Sequence, residues 1–220
     1  MDMLFTIIML SCVGLVVGKS PDSEIILPAP ALKGKLSVEE ALHRRRSVRD
    51  YAKGALSLAE VSQLLWAAQG ITMRAEGFRT APSAGATYPL EIYLVAGNVN
   101  GLAAGIYRYI PARHTLVRTA EGDVRAKLRD ASLGQPWVRE APATLVVAAV
   151  HARTASRYGG RTQRYVDIEV GHAGENVYLQ AESLGLGTVA VGAFNDGEVK
   201  KVLGLKKEEE PLYLMPVGKK

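Results

Sequence analysis

A single cysteine, Cys12, in 220 residues leaves no pair for an internal disulfide and no cysteine-rich metal site. The four histidines, His43, His114, His151 and His172, are scattered without the paired spacing of a metal-binding helix, so no metal is expected. There is no repeat, low-complexity tract or coiled-coil heptad, and no catalytic triad or carboxylate pair stands out. Charge of neither sign dominates. The 27 basic against 22 acidic side chains leave +5, an excess that one bound phosphate group could partly explain and that does not by itself imply nucleic acid. What is present is ordinary: 48% hydrophobic and 22% charged residues, enough for one folded domain with a core of useful size.

The amino end stands apart. Residues 3–18, MLFTIIMLSCVGLVVG, form an uncharged apolar run followed by the polar KSPDSE. It suits the hydrophobic region of a signal peptide and falls short of the ~20 residues of a typical membrane span. Asp2 and the lack of an early lysine or arginine depart from a secretory signal. A lipoprotein-like site in MLSC, an incidental cysteine and a mischosen start codon are the other readings. Residues 1–24 are therefore set aside as a signal-like or anchoring leader, with export or membrane association through it as one expectation and a cytoplasmic protein as the other. Residues 25–220 are expected to form the domain.

Within that domain the spacing predicts several elements. Ser37 with Glu40, and Ser57 with Glu60, are reciprocal capping pairs that open helices at SVEEALH and SLAEVSQLLWAAQ, the second stopped by Gly70. LEIYLVAG from Leu90, GIYRYI from Gly105 and PATLVVAAV over 142–150 read as strands, the last buried on both faces. DVRAKLRDASL, 123–133, reads as a helix. Residues 165–184 form a long helix with Val166, Val170, Ala173, Val177 and Ala181 on one side, ended by GLG at 185–187. TVAVGAF is expected as a strand, DGEVKKVLGL as a short helix and PLYLMPVG as a final strand. Helices interspersed with strands predict an α+β sandwich around a central sheet.

Residues 43–51, HRRRSVRDY, place four arginines and a serine directly behind the first helix. A nucleic acid backbone, a membrane surface and the phosphate of a small cofactor all suit such a cluster, as does a solvated helix end favoured by the helix dipole. A flavin mononucleotide site needs cations and hydroxyls for a phosphate, close backbone approach to the ring, and a flat apolar slot. The chain offers RRSVR, the small-residue run APSAGATYP at 81–89, and TVAVGAF at 188–194.

On these motifs the chain, from about Ser37 to Gly218, resembles the FMN-dependent nitroreductase superfamily, and within it the SagB-type (thiazole/oxazole-forming) dehydrogenase branch. The resemblance implies a three-layer α-β-α sandwich with a central, mainly antiparallel sheet and an intertwined homodimer with two flavins. It implies phosphate and ribityl contacts from Arg45, Arg46, Ser47 and Arg49, with Arg44 left as a solvated charge. Pro82, Ser83, Ala84 and Gly85 would cover the ring from the neighbouring subunit. Ala86 and Tyr88 stand where many nitroreductases carry asparagine and glutamine, which fits the dehydrogenase branch better. Gly192 and Ala193 would bring a backbone amide to the hydride-accepting ring nitrogen, with Val191 packed against the ring. Lys219 would return toward the phosphate, a disordered terminal lysine being its alternative. In RYGGRTQRYVDIEVGHAGEN, Tyr158, Arg161, Arg164 and Tyr165 would line the substrate entrance or bind nicotinamide nucleotide, with plain surface charge as the alternative for the two arginines. His172 is expected as a core or interface histidine, and Glu175 replaces a common family glutamine.

The function so implied is an FMN-dependent oxidoreductase that moves hydride between NAD(P)H, or an organic substrate, and an acceptor by a ping-pong mechanism. Flavin performs such chemistry with few catalytic side chains, which accounts for the lack of a triad or metal cluster. A nonenzymatic flavin-binding carrier or sensor and a peptide azoline dehydrogenase are the alternatives. Nucleic-acid binding is not expected, because the arginine cluster lacks interleaved aromatics and a strongly basic background.

Overall fold

Alternation along the central strands sends apolar side chains to both sides of one sheet, and helices cover each side. The computed structural model describes residues 24–220. In chain order the elements are β1 (Ile25–Ile26), α1 (Val38–Arg44), β2 (Leu56–Ser57), α2 (Leu58–Gln69), β3 (Ile71–Met73), β4 (Phe78–Arg79), β5 (Leu90–Ala96), β6 (Val99–Asn100), β7 (Gly105–Ile110) and β8 (Thr115–Glu121). The second half contributes α3 (Arg125–Ala131), α4 (Pro136–Glu140), β9 (Ala143–Ala149), α5 (His151–Tyr158), α6 (Thr162–Ser183), β10 (Leu186–Thr188), α7 (Asp196–Leu203) and β11 (Glu210–Lys219). Seven strands form the main sheet in the order β1-β8-β7-β5-β9-β11-β10, and every neighbouring pair is antiparallel.

On β5, Leu90, Ile92 and Leu94 face one core while Tyr93 and Val95 face the other; on β9, Leu145 and Val147 oppose Val146 and Ala148 in the same way. The first core is closed by Leu64, Leu65 and Ala68 of α2 and by Val166, Val170, Ala173, Val177 and Ala181 of α6. The second is closed by Leu128 of α3, Val138 of α4 and Val199 and Leu203 of α7. The result is the expected α-β-α sandwich.

Both predicted capping boxes are formed, with Ser37 accepting from the Glu40 amide and Ser57 from the Glu60 amide. Gly70 closes α2 for a different reason from the one expected. Its φ is −64°, not left-handed, and a Cβ there would lie 2.1 Å from Trp66 Cδ1, so glycine is needed for close approach. Of the expected strand TVAVGAF only Thr188 lies in β10, which instead starts at Leu186 within the GLG expected to end the preceding helix. β10 ends at Thr188, and only Val191 returns to the ladder, opposite Leu214. Thr188 pairs with Val217, so the next step along β11 is Pro216, which has no N–H to give. Strand β8 and helices α4 and α5 were not expected. The leader lies outside the described residues except for Glu24, whose carboxylate receives Arg113 at 2.7 Å. Among the described residues no helix is long and apolar enough to cross a membrane.

Candidate functional site

The arginine-rich segment leaves α1 and lies as an arm across the edge of the sheet. Gly187 of β10 and Gly218 of β11 are paired in register, and the arm fills the space above them. A Cβ on Gly187 would meet Val48 Cγ1 at 2.6 Å, and one on Gly218 would meet the Tyr51 ring at 2.6 Å. Backbone bonds pin the arm at both ends, Val48 N–H to the Thr188 carbonyl at 2.9 Å and Ala52 N–H to the Lys219 carbonyl at 3.0 Å. The Tyr51 hydroxyl, 3.2 Å from the carbonyls of both Val48 and Pro216, ties its centre to β11.

So held, the arm presents Arg45 and Ser47 beside α6. The Ser47 and Tyr178 hydroxyls share a hydrogen bond of 3.0 Å, and Tyr178 also accepts from the Ala190 N–H at 2.7 Å. One phenol thereby joins the arm to the segment carrying Val191, Gly192 and Ala193. The half-buried Arg45 guanidinium sits 5.1 Å from the Tyr178 ring centre, and Glu175 is 3.9 Å from its Nε, a long ion pair that leaves the charge loosely compensated. Gly192 and Ala193 are exposed just past the Val191–Leu214 bridge.

Other expected members of this group are engaged elsewhere. Arg46 folds back, donating to the carbonyls of His43 at 2.9 Å and of its neighbour Arg45 at 2.7 Å. Arg49 stacks 5.4 Å from the Trp137 ring centre on α4. Lys219 reaches Glu60 at the start of α2, where burial disfavours the carboxylate but Lys219 and Ser57 hold its pKa below the ordinary value. Val191 is 4% exposed among the apolar side chains of the second core, so its side chain packs there. His172 is exposed on α6 and is not a core residue.

The Pro82–Gly85 loop forms a second group. Gly85 has φ +57°, and a Cβ would approach the Tyr158 hydroxyl to 2.6 Å, so both backbone and contact require glycine. Its carbonyl accepts from Arg157 at 3.0 Å. Ser83 Oγ receives the Tyr88 N–H at 2.9 Å, closing a loop in which Ala86 and Tyr88 adopt φ of 53° and 44°. Non-glycine residues in that region cost about 1–2 kcal/mol each, and such strain concentrates at functional loops. Tyr158 packs edge-on against Tyr165, ring centres 4.8 Å apart, while Arg161 and Arg164 are exposed.

Beneath this loop lies a carboxyl that the sequence reading missed. Glu169 is 2% exposed and its Oε1 has no partner among the described residues. Burial pushes its pKa up to about 7, opposed in part by the Ser83 hydroxyl and the Arg79 guanidinium. A signal did exist, since Glu169 falls at helical spacing between Val166 and Ala173 on the inward face of α6. Tyr178 was also missed; nothing in its own neighbourhood marks a tertiary bridge. The two groups meet α6 at Glu169 and at Tyr178, nine residues and roughly 13 Å apart along the helix.

Residues 42–219 match the model of the nitroreductase family, and the chain belongs to that family and is an oxidoreductase of it. It is 50% identical over 186 residues to "Putative nitroreductase MJ1384" of Methanocaldococcus jannaschii, covering 84% of this chain and 92% of that protein. It is 27% identical over 177 residues to the microcin B17-processing protein McbC of Escherichia coli, covering 76% of this chain and 63% of McbC. A crystal structure of a nitroreductase-like protein from Ralstonia eutropha superposes with a TM-score of 0.79 at 30% identity, covering 92% of this chain and 91% of that one. The NADPH:FMN oxidoreductase of Vibrio harveyi complexed with NAD+ shares the fold, with a TM-score of 0.60 at 19% identity over 83% of this chain and 68% of that one.

Proposed function

We propose that the chain is an FMN-dependent oxidoreductase working as a homodimer, with NAD(P)H or an organic substrate as hydride donor and a second molecule as acceptor, the two using one pocket in turn. The observation that carries this reading is the loosely compensated Arg45 beside Ser47, locked through Tyr178 to the exposed Gly192–Ala193 segment. Arg45 and Ser47 supply a charge-assisted and a neutral hydrogen bond of the kind a phosphate monoester takes, and they lie next to a backbone that a planar ring can approach without a side chain in the way. Arg49 and Lys219 join them only by leaving Trp137 and Glu60, so Arg45 and Ser47 are the primary ligands. FMN, when bound, supplies the hydride acceptor and donor.

The separation of the two groups along α6 supports the dimer. The Pro82–Gly85 loop of a second copy would cover the pocket that the arm opens, bringing Tyr158 to its substrate side. Tyr158, backed by Arg157 and Tyr165, would orient the substrate and present a hydroxyl to it. Likeness to McbC favours one specific version, in which the donor is an azoline ring of a processed peptide; the chain spans less than two thirds of that relative, and the broader reading does not depend on it.

The test is anaerobic addition of NADH or NADPH to the purified, flavin-loaded protein, followed at 450 nm. Bleaching, with colour restored by an added acceptor, is the expected result. A coloured protein that neither nucleotide reduces is instead a carrier, or takes its hydride from another donor such as an azoline peptide, which added azoline substrate distinguishes.

A further inference from the structure

Behind the strained loop, between the starts of β5 and α5, the ends of α2 and β7, and β3–β4, lies a cavity of about 400 Å³ that no residue of the arm lines. Its polar wall is Gln69, Arg79, Tyr88, Glu91, Arg108 and Arg153. Three guanidinium groups there face one carboxylate. Glu91 is fully occupied, Oε2 taken by Arg108 at 2.8 and 3.1 Å and Oε1 by Arg153. Arg79 has no carboxylate of its own. Its Nη1 donates to Gln69 Oε1 at 2.8 Å, and its guanidinium carbon lies 4.5 Å from the Tyr88 ring centre. The other carboxyl near it, Glu169, is pushed by burial to about 7 and compensates it incompletely at neutral pH.

Two donors remain over. Arg79 Nε and Gln69 Nε2 are buried without a hydrogen-bond partner among the described residues, and Gln69 is completely buried. The bond from Arg79 to Gln69 Oε1 fixes which end of that amide is nitrogen. Buried donors without acceptors are rare in folded proteins, and unpaired cations more so, unless a ligand completes them. Thr87 and Tyr109 add two hydroxyl-bearing side chains, and Ile71, Ile110 and Pro111 contribute apolar surface to the same wall. The strained Tyr88 holds the geometry, its carbonyl receiving Arg153 at 2.9 Å.

We propose that this cavity binds the oxyanion of a small organic molecule, a carboxylate or a phosphate ester, with the anion accepting from Arg79 and Gln69 and the hydrocarbon body against Ile110 and Pro111. The site is independent of the flavin reading. Because Tyr88 belongs both to its wall and to the strained loop, an occupant would stiffen that loop.

Calorimetric titration of the full-length protein, as purified, with benzoate and with phenyl phosphate tests the site. At least one of the two is expected to bind with one site per chain, and the tighter one identifies the anion. Removing a charged donor by Arg79→Gln should weaken that binding about 10- to 100-fold. Ala112→Glu, which sets a like charge at the exposed mouth of the cavity, should weaken it too and does not disturb the buried wall. No binding of either probe at about 10 mM, or binding that neither substitution changes, would overturn the proposal.

Discussion

Tyr178 shows how much one side chain can organise. Its ring lies under Arg45, and its hydroxyl bonds both Ser47 and the Ala190 amide. Tyr178→Phe keeps the ring and deletes both bonds, so it should lower stability by about 1–2 kcal/mol in urea denaturation, since the half-buried Ala190 amide loses its acceptor. Unchanged stability would mean that water replaces the bridge without loss. At Glu169 the consequence is a pH dependence. Its folded pKa of about 7 lies above the ordinary 4.5, so the folded state holds a proton that the unfolded chain has released. Stability from this group is therefore whole below about pH 4.5, falls as pH rises, and levels off above about 7. Melting curves of Glu169→Gln should lack that slope, and an identical slope in the variant would assign it to other groups. The proposal of Arg45 and Ser47 as ligands rests on chemistry and spacing that are local in the sequence, whereas the partners that hold their neighbours are not. The engagement of Lys219 with Glu60 and of Arg49 with Trp137 could not be read there, because each depends on a partner more than fifty residues away.

Among the elements, those with the clearest local signals were legible. The capping pairs at Ser37 and Ser57 announced α1 and α2, and the inward stripe of α6 and the apolar run of β9 announced the layers they fill. Strand β8 mixes Arg118 and Glu121 into its alternation, and α4 and α5 are short and lack side-chain caps, although Pro136 at the first position of α4 and the one-sided polarity of α5 are local signals that the sequence reading did not use. The end of β10 is set by Pro216 on a different strand. The arm, too, is positioned by distant glycines. Gly187→Ala would thrust a methyl into Val48, and overpacking of this kind costs about 1–3 kcal/mol; it should also loosen any ligand held by Arg45 and Ser47. Gly197→Ala on α7, whose new Cβ would meet only Asn195 at an ordinary 3.5 Å, should stay within about 1 kcal/mol of the parent. Equal melting temperatures for the two variants would show that the arm tolerates displacement.

For the whole molecule, the sandwich followed from alternation and helix periodicity, whereas the expectation that two subunits share the candidate site came from the family resemblance alone. The motifs are separated along α6, and in the function proposed here a second copy would supply the loop that completes the pocket. The most direct measurement is a titration of FMN into apoprotein, with stoichiometry and mass determined together, on the parent and on the Arg45→Ala, Ser47→Ala double variant. The account predicts two FMN per dimer, with binding weakened at least about 100-fold in the variant, as loss of a charge-assisted and a neutral phosphate bond implies. A parent that takes up no FMN, or a variant that binds it as tightly, would contradict the assignment.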